Sequence, residues 1–307
     1  MAGFDAISKH IELILFSIAL DLLLWFSPRV RLTSLLESLG GQFEPTGEMS
    51  GPEVFERLTS ITEGLNLLSS LRTFPVGVPS LMASRPAALH PLGAPLEWEL
   101  PSLWTALGLW LLINFLGLLV GSLYFSLVAQ AAISDKIHWR LAFSQWPRTS
   151  LQVLALAAFW FVLLTATVFP FLCFFSFILT GGMGLEQLVL FGMVIFGLLW
   201  IWLLLPFFYS PHGIFGAGEN MWNSLRKSFR LARATLPSTA LLLLTIVILS
   251  EGLRQLWILP SDTSWWMLVG MAGHAFVTAS LLAASFVFYK DAELWVKQVL
   301  KQTKSDP

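Results

Sequence analysis

Apolar residues occur along this chain in long unbroken blocks, without alternation of period two, and polar residues collect between them. Six blocks are long enough for a roughly 30 Å hydrocarbon layer, which needs about 20 residues. They fall at about 10–26, 103–128, 151–179, 187–209, 237–259 and 265–289. Continuous apolarity predicts helices, because a helix satisfies its own backbone in lipid. The expected fold is an all-α, polytopic membrane helical bundle of about six transmembrane helices. It forms a single membrane domain over 1–307, with an extracytoplasmic cap at about 30–100 between the first two spans. The first block is short and contains Glu12 and Asp21. It is followed by Ser27-Pro28-Arg29 with no small-x-small pattern, and so reads as a span and not a cleaved leader.

Composition agrees. Hydrophobic residues make up 56% of the chain, charged residues only 12%, and mean hydropathy is +0.73. A soluble globule of this size could not cover its apolar area, so lipid must. The net charge of −1 excludes polyanion binding driven by bulk charge, and the one cysteine, Cys173, excludes an internal disulfide. Lys and Arg are uneven: Lys9, the second loop, the fourth loop and the C-terminal tail hold twelve of them. Six (Arg29, Arg31, Arg57, Arg72, Arg85 and Arg254) fall on the other side. By the positive-inside rule both termini are cytoplasmic, with Arg29 and Arg31 against the trend.

Tryptophans 104, 200, 202, 257, 265 and 266 sit near block ends, where indoles favour the headgroup level. Gly117-x-x-x-Gly121 and Ala275-x-x-x-Ala279-x-x-x-Ala283 place small residues on one helix face, a pattern for close helix packing. In the cap, Ser50-Gly51-Pro52-Glu53 has the form of a capping box, and Val54, Leu58, Ile61, Leu65 and Leu68 follow at helical spacing. An amphipathic helix is expected from about Pro52 to Leu71, then a Pro-rich ordered loop. Eight glutamates make the cap acidic, without the ligand spacing of a calcium loop.

The fourth loop, GENMWNSLRKSFRLARATLP, collects Met221, Trp222, Leu225, Phe229, Ala232 and Leu236 on one helical arc, and Arg226, Lys227, Arg230 and Arg233 on the next. This predicts a cytoplasmic amphipathic helix over 219–235, whose four cations contact anionic membrane lipids or fix orientation. A membrane-protein partner is also open, whereas nucleic acid is not expected.

Here the chain resembles a bacterial membrane-domain family, the one fused to some glycerophosphodiester phosphodiesterases. PFFYSPHGIF, LRKSFRLARATLP and FVFYKDAELWVK carry the likeness through Pro211, Leu225, Arg226, Ser228, Phe229, Leu231, Arg233, Tyr289 and Asp291. The resemblance covers roughly the last third of the chain. It implies a multi-pass protein of the bacterial cytoplasmic (inner) membrane and no reaction, since no soluble segment is long enough for the phosphodiesterase domain.

No phosphate loop, zinc-protease helix, nucleophile elbow or cysteine pair occurs, and the five histidines are scattered. Neither a cofactor nor a metal is expected. What remains is an intramembrane polar set: Asp21 about 9 Å, His274 about 13 Å and Asn114 about 16 Å from the outer ends of their spans. If those spans are neighbours the three can meet, either as a proton-sharing site or as a hydrogen-bond cluster locking helices together. Three functions follow: a non-enzymatic scaffold or accessory module, a small proton-coupled carrier, or a protein handling lipid headgroups.

Overall fold

The structure, a computed structural model, describes residues 2–35, 66–85, 89–180 and 186–305. It is an all-α bundle with one two-stranded parallel ribbon. The N-terminal block is bent: α1 (Ala2–Lys9) ends where His10 leaves the helical region (φ −127°, ψ 55°), and α2 (Ile14–Phe26) follows a 3-10 turn. Strands β1 (Arg29–Arg31) and β2 (Glu97–Glu99) pair in the cap. Helices α3 (Leu103–Ser134), α4 (Trp139–Thr180), α5 (Glu186–Leu204), α6 (Ser210–Ala217), α7 (Met221–Ala234), α8 (Leu236–Trp257) and α9 (Met267–Ser305) complete the chain.

Among the described residues, five segments are long and apolar enough to cross a membrane: Leu103–Ser134, Trp139–Phe175, Val189–Ala217, Leu236–Trp257 and Met267–Val299. The chain is thus a multi-pass membrane protein. The first predicted block is not among the five. With 13 residues, α2 is about 20 Å long, less than a straight span, yet with the 3-10 turn before it the block runs from the end that holds Lys9 and Asp135 to the ribbon at the cap. The second loop is absorbed into α4, which carries Pro147 and Pro170 within it. The predicted helix from Pro52 lies almost wholly outside the described residues; its described end, Leu67–Leu71, is a 3-10 turn.

Packing follows the small residues. Ala275, Ala279 and Ala283 are all fully buried on α9. On the same helix Ser280 O and the Ala284 backbone lie where a side chain on Gly3 would be, so α1 can lie on α9 only with glycine there. Ile7, Leu13, Tyr124, Leu127 and Phe286 form the core between these elements and α3. Helices α5 and α8 turn their apolar residues outward, as at Leu190, Val194, Leu198, Leu241, Leu244 and Val247. Such a surface belongs in lipid.

The two ends differ in chemistry. At one, Lys9 pairs with Asp135 at 2.8 Å, and Lys290 donates to Ile133 O. Asp135 terminates α3 in the left-handed region (φ 53°), and its hydrogen bond from Lys9 holds the carboxyl below its ordinary range. At the cap end, Arg31 pairs with Glu97 at 2.7 Å, and Arg29 is 4.0 Å from the same carboxylate. The two arginines that oppose the charge rule are therefore held by the ribbon. Arg85 pairs with Asp262, and Trp25 Nε1 donates to Asp262 O, tying the cap to the start of α9.

Candidate functional site

The stretch after the Leu67–Leu71 turn does not stay over the helix ends. It runs into the bundle along α3. A side chain on Gly117 would meet Leu71 O at 2.5 Å, and one on Gly121 would meet Gly77 Cα at 2.9 Å and Val76 O at 3.0 Å. Gly121 is about 27 Å of helix from Leu103, so this extended segment reaches the middle of the bundle. The glycine face predicted to receive another helix receives an irregular strand of backbone instead. Non-helical backbone at such depth is tolerated where protein buries it or where it lines a cavity, and both conditions hold here. Val76 and Val78 are buried in the core, while Arg72, Phe74 and Pro75 line a cavity of about 520 Å³.

Asp21 holds the segment in place. Ser80 Oγ donates to its carboxylate at 2.5 Å and Met82 N at 2.9 Å, and Asp21 itself is fully buried. The structure therefore places this predicted site residue as an anchor. Asn114 donates to Trp110 O in its own helix, and His274 Nε2, buried, has no partner among the described residues. No hydrogen bond or ion pair among the described residues joins Asp21, Asn114 and His274.

The opposite wall of the cavity is a broken helix. Pro206 falls in the 3-10 turn Leu205–Phe207, and Pro211 opens α6. Proline at 211 removes the N–H that Phe207 O would otherwise accept, and Ser210 Oγ donates to that carbonyl at 2.6 Å. Helix α7 completes the repair from outside, with Ser228 Oγ donating to Pro206 O (2.7 Å) and Ser224 Oγ to Ser210 O (2.5 Å). Its buried face is consequently Met221, Ser224, Leu225, Ser228, Leu231 and Ala232, while Trp222 and Leu236 are exposed. The predicted apolar arc is rotated because serine-to-carbonyl bonds, invisible to hydropathy, select the docking face.

The four predicted lipid-contacting cations separate into different roles. Arg226 and Arg230 are exposed beside Phe159, Phe207, Trp222 and Phe229 in a shallow groove, and Arg233 stacks on Phe229 at 4.1 Å. Lys227 faces inward, 2.8 Å from Glu219 and 3.0 Å from Glu293, over the Tyr289 ring. Burial alone would lower its pKa. The hydrogen bonds to the two glutamates outweigh that and raise it above the ordinary 10.5. Because the folded value is the higher one, the stabilisation is fully present below pH 10.5 and is withdrawn only as pH rises through the raised value. Lys227→Met should cost about 1.5 to 3 kcal/mol, since it leaves Glu219 without an ion partner among the described residues while Glu293 keeps Lys297. The difference in thermal midpoint from the native protein should be constant between pH 7 and 9.

Two further groups face the cavity that sequence reasoning passed over, Arg72 and His212. His212 is buried with Nε2 2.8 Å from Ser285 Oγ, between the rings of Phe208 and Phe286. This is nucleophile-to-base spacing, but Ser285 Oγ is also 2.7 Å from Leu282 O, so its one proton has a helix carbonyl as a competing acceptor and the direction of the His212 bond follows the tautomer. The pair fastens α6 to α9. The proline pair around the helix break was the available sequence signal for this wall.

Apart from the hydroxyls of Thr73, Ser210, Ser250, Thr278 and Ser285, the remaining lining is apolar, with Phe125 and Trp160 from α3 and α4, Ile201 from α5, and Leu243 and Ile246 from α8. Phe74 and Ile201 line the cavity and are 59% and 63% exposed, so it opens toward the face that α5 presents to lipid. Fold and site together define a multi-pass helical membrane protein with a laterally open intramembrane cavity. Comparison of the chain with protein-family models, with curated proteins and with solved structures returned no match.

Proposed function

We propose that the protein is a non-enzymatic, lipid-handling protein of a bacterial cytoplasmic membrane, which takes an amphiphilic molecule from the bilayer into the cavity beneath the inserted segment. The observation that carries this reading is the cavity itself. Its 520 Å³ lies within the range of small-molecule sites, about 300 to 1,000 Å³, and its apolar wall opens where acyl chains would lie. A passive scaffold has no need of a mid-bundle cavity whose wall is built from a broken helix and an inserted loop. A proton-coupled carrier would need an acid set on a path for protons, and Asp21 is instead fully buried, with Oδ1 holding Ser80 and Met82 and Oδ2 without a partner among the described residues. The lysine and arginine asymmetry supports cytoplasmic termini, and the resemblance in the last third of the chain supports a bacterial inner membrane. On this orientation the exposed Arg226 and Arg230 face anionic headgroups.

Ser250, on α8 at the cavity wall, offers the test. Ser250→Trp should fill the space without disturbing the anchors of the segment. After gentle purification and solvent extraction, the variant should retain several-fold less co-purifying lipid per protein than the native chain, at an unchanged thermal midpoint. Equal lipid content in the two would count against the cavity as the binding site.

A further inference from the structure

Resting on the cavity reading, we infer that the ligand is an acyl-chain lipid of net negative charge, whose carboxylate or phosphate pairs with Arg72. The cap end has five described arginines, and four of them have carboxylates. Arg29 and Arg31 have Glu97, Arg85 has Asp262 and Arg254 has Glu251. Arg72 has none within ion-pair reach among the described residues; it is exposed and is one of the residues that line the cavity. Asp21 feels its charge without touching it. Arg72 lies between Leu71 and Thr73, both against Gly117, about 21 Å of helix from Leu103. A guanidinium at membrane depth costs about 2.5 to 3.5 kcal/mol unless it is paired or hydrated.

Nothing else in the lining supplies the missing charge. Among the described residues no Asp or Glu lines the cavity, and three of its hydroxyls are turned away. Ser210 donates to Phe207 O and Thr278 to His274 O, each within its own segment, and Ser285 is held between Leu282 O and His212 Nε2. The field inside is therefore positive, with one planar, five-donor group suited to an oxyanion and an apolar wall suited to a chain. A neutral lipid would offer Arg72 no anion, and a zwitterionic one would bring a phosphate together with its own cation into a cavity that is already positive. The geometry also orders the ligand, with the headgroup at the inserted segment and the chain running toward Ile201 and Ile246.

The test uses the full chain in phosphatidylcholine nanodiscs doped with either phosphatidylglycerol or oleate, and native mass spectrometry of the lipid retained. The native protein should keep one anionic molecule in preference to phosphatidylcholine. Arg72→Gln should weaken that retention about ten- to hundredfold, the worth of a hydrogen-bonded charge pair. Arg72→Lys, which keeps the charge but not the fork, should fall between, and guards against misfolding of the glutamine variant. Arg226→Gln with Arg230→Gln should leave the retained copy in place, separating it from lipid on α7. Whether phosphatidylglycerol or oleate is kept distinguishes a phosphate from a carboxylate headgroup. Unchanged retention in Arg72→Gln, or equal retention of phosphatidylcholine by the native protein, would overturn the inference while leaving the cavity reading intact. Retention of none of the three lipids would overturn both.

Discussion

Gly121→Leu should release the inserted segment from the bundle. The first added carbon would lie 2.9 Å from Gly77 Cα and 3.0 Å from Val76 O, and these are backbone atoms that cannot rotate aside. Helix α3 cannot retreat either, because Leu123, Tyr124 and Leu127 on the following turns are packed in the core. Overpacking of this kind costs about 1 to 3 kcal/mol when neighbours can adjust, and the cost here should reach or exceed the upper figure. The segment carries fewer apolar anchors than the helices and is the part that should give way. A cysteine at Val76, fully buried in the native arrangement, reports this directly in a Cys173→Ser background. Maleimide labelling should be slow with glycine at 121 and fast with leucine. Slow labelling in both would mean that the segment is held independently of the glycine face.

The second large effect is expected at Asp21. Asp21→Ala removes the acceptor of two hydrogen bonds and leaves the Met82 N–H and the Ser80 hydroxyl buried without it. Bonds to a charged group are worth about 1.5 to 3 kcal/mol each, so a loss of about 3 to 5 kcal/mol is expected. Asp21→Asn keeps an acceptor oxygen and should lose less than half of that. His274→Ala breaks no side-chain hydrogen bond and should cost only the packing of the ring. Thermal midpoints in one detergent should be highest for the native protein, lower for Asp21→Asn and lowest for Asp21→Ala. An Asp21→Ala protein as stable as the native one would contradict the anchor.

The helices were legible in the sequence because membrane spans announce themselves by continuous apolarity, and all five crossing segments fall on predicted blocks. Asp21 was legible as an unusual residue, since a carboxylate in an apolar run demands partners. Its partners were not, because Ser80 and Met82 lie in a proline-rich stretch whose composition reads as surface loop. Gly117 and Gly121 showed that something approaches α3 closely; small residues state the distance of approach and not the identity of what approaches. Arg72 entered only as one charge in a topological count. The path of the backbone that carries it into the bundle is set by three-dimensional packing. Pro206 and Pro211 stand in the sequence near the end of the fourth block, where a helix break is ordinary. Only the fold shows that the break faces a cavity and that Ser224 and Ser228 on α7 satisfy its carbonyls. The basic helix was legible in position and charge, yet its docking face was misjudged for the same reason, as hydropathy ranks a serine that caps a carbonyl with one that faces water.

The central claim is that the bundle encloses a lipid and not a bare or protein-filled cavity. Native mass spectrometry of the protein released gently from its own membranes tests it most directly. The account predicts a monomer or homodimer carrying one defined small amphiphile per chain, lost together with the cavity in Ser250→Trp. A stoichiometric second polypeptide, with no small molecule retained, would contradict it and favour an accessory subunit.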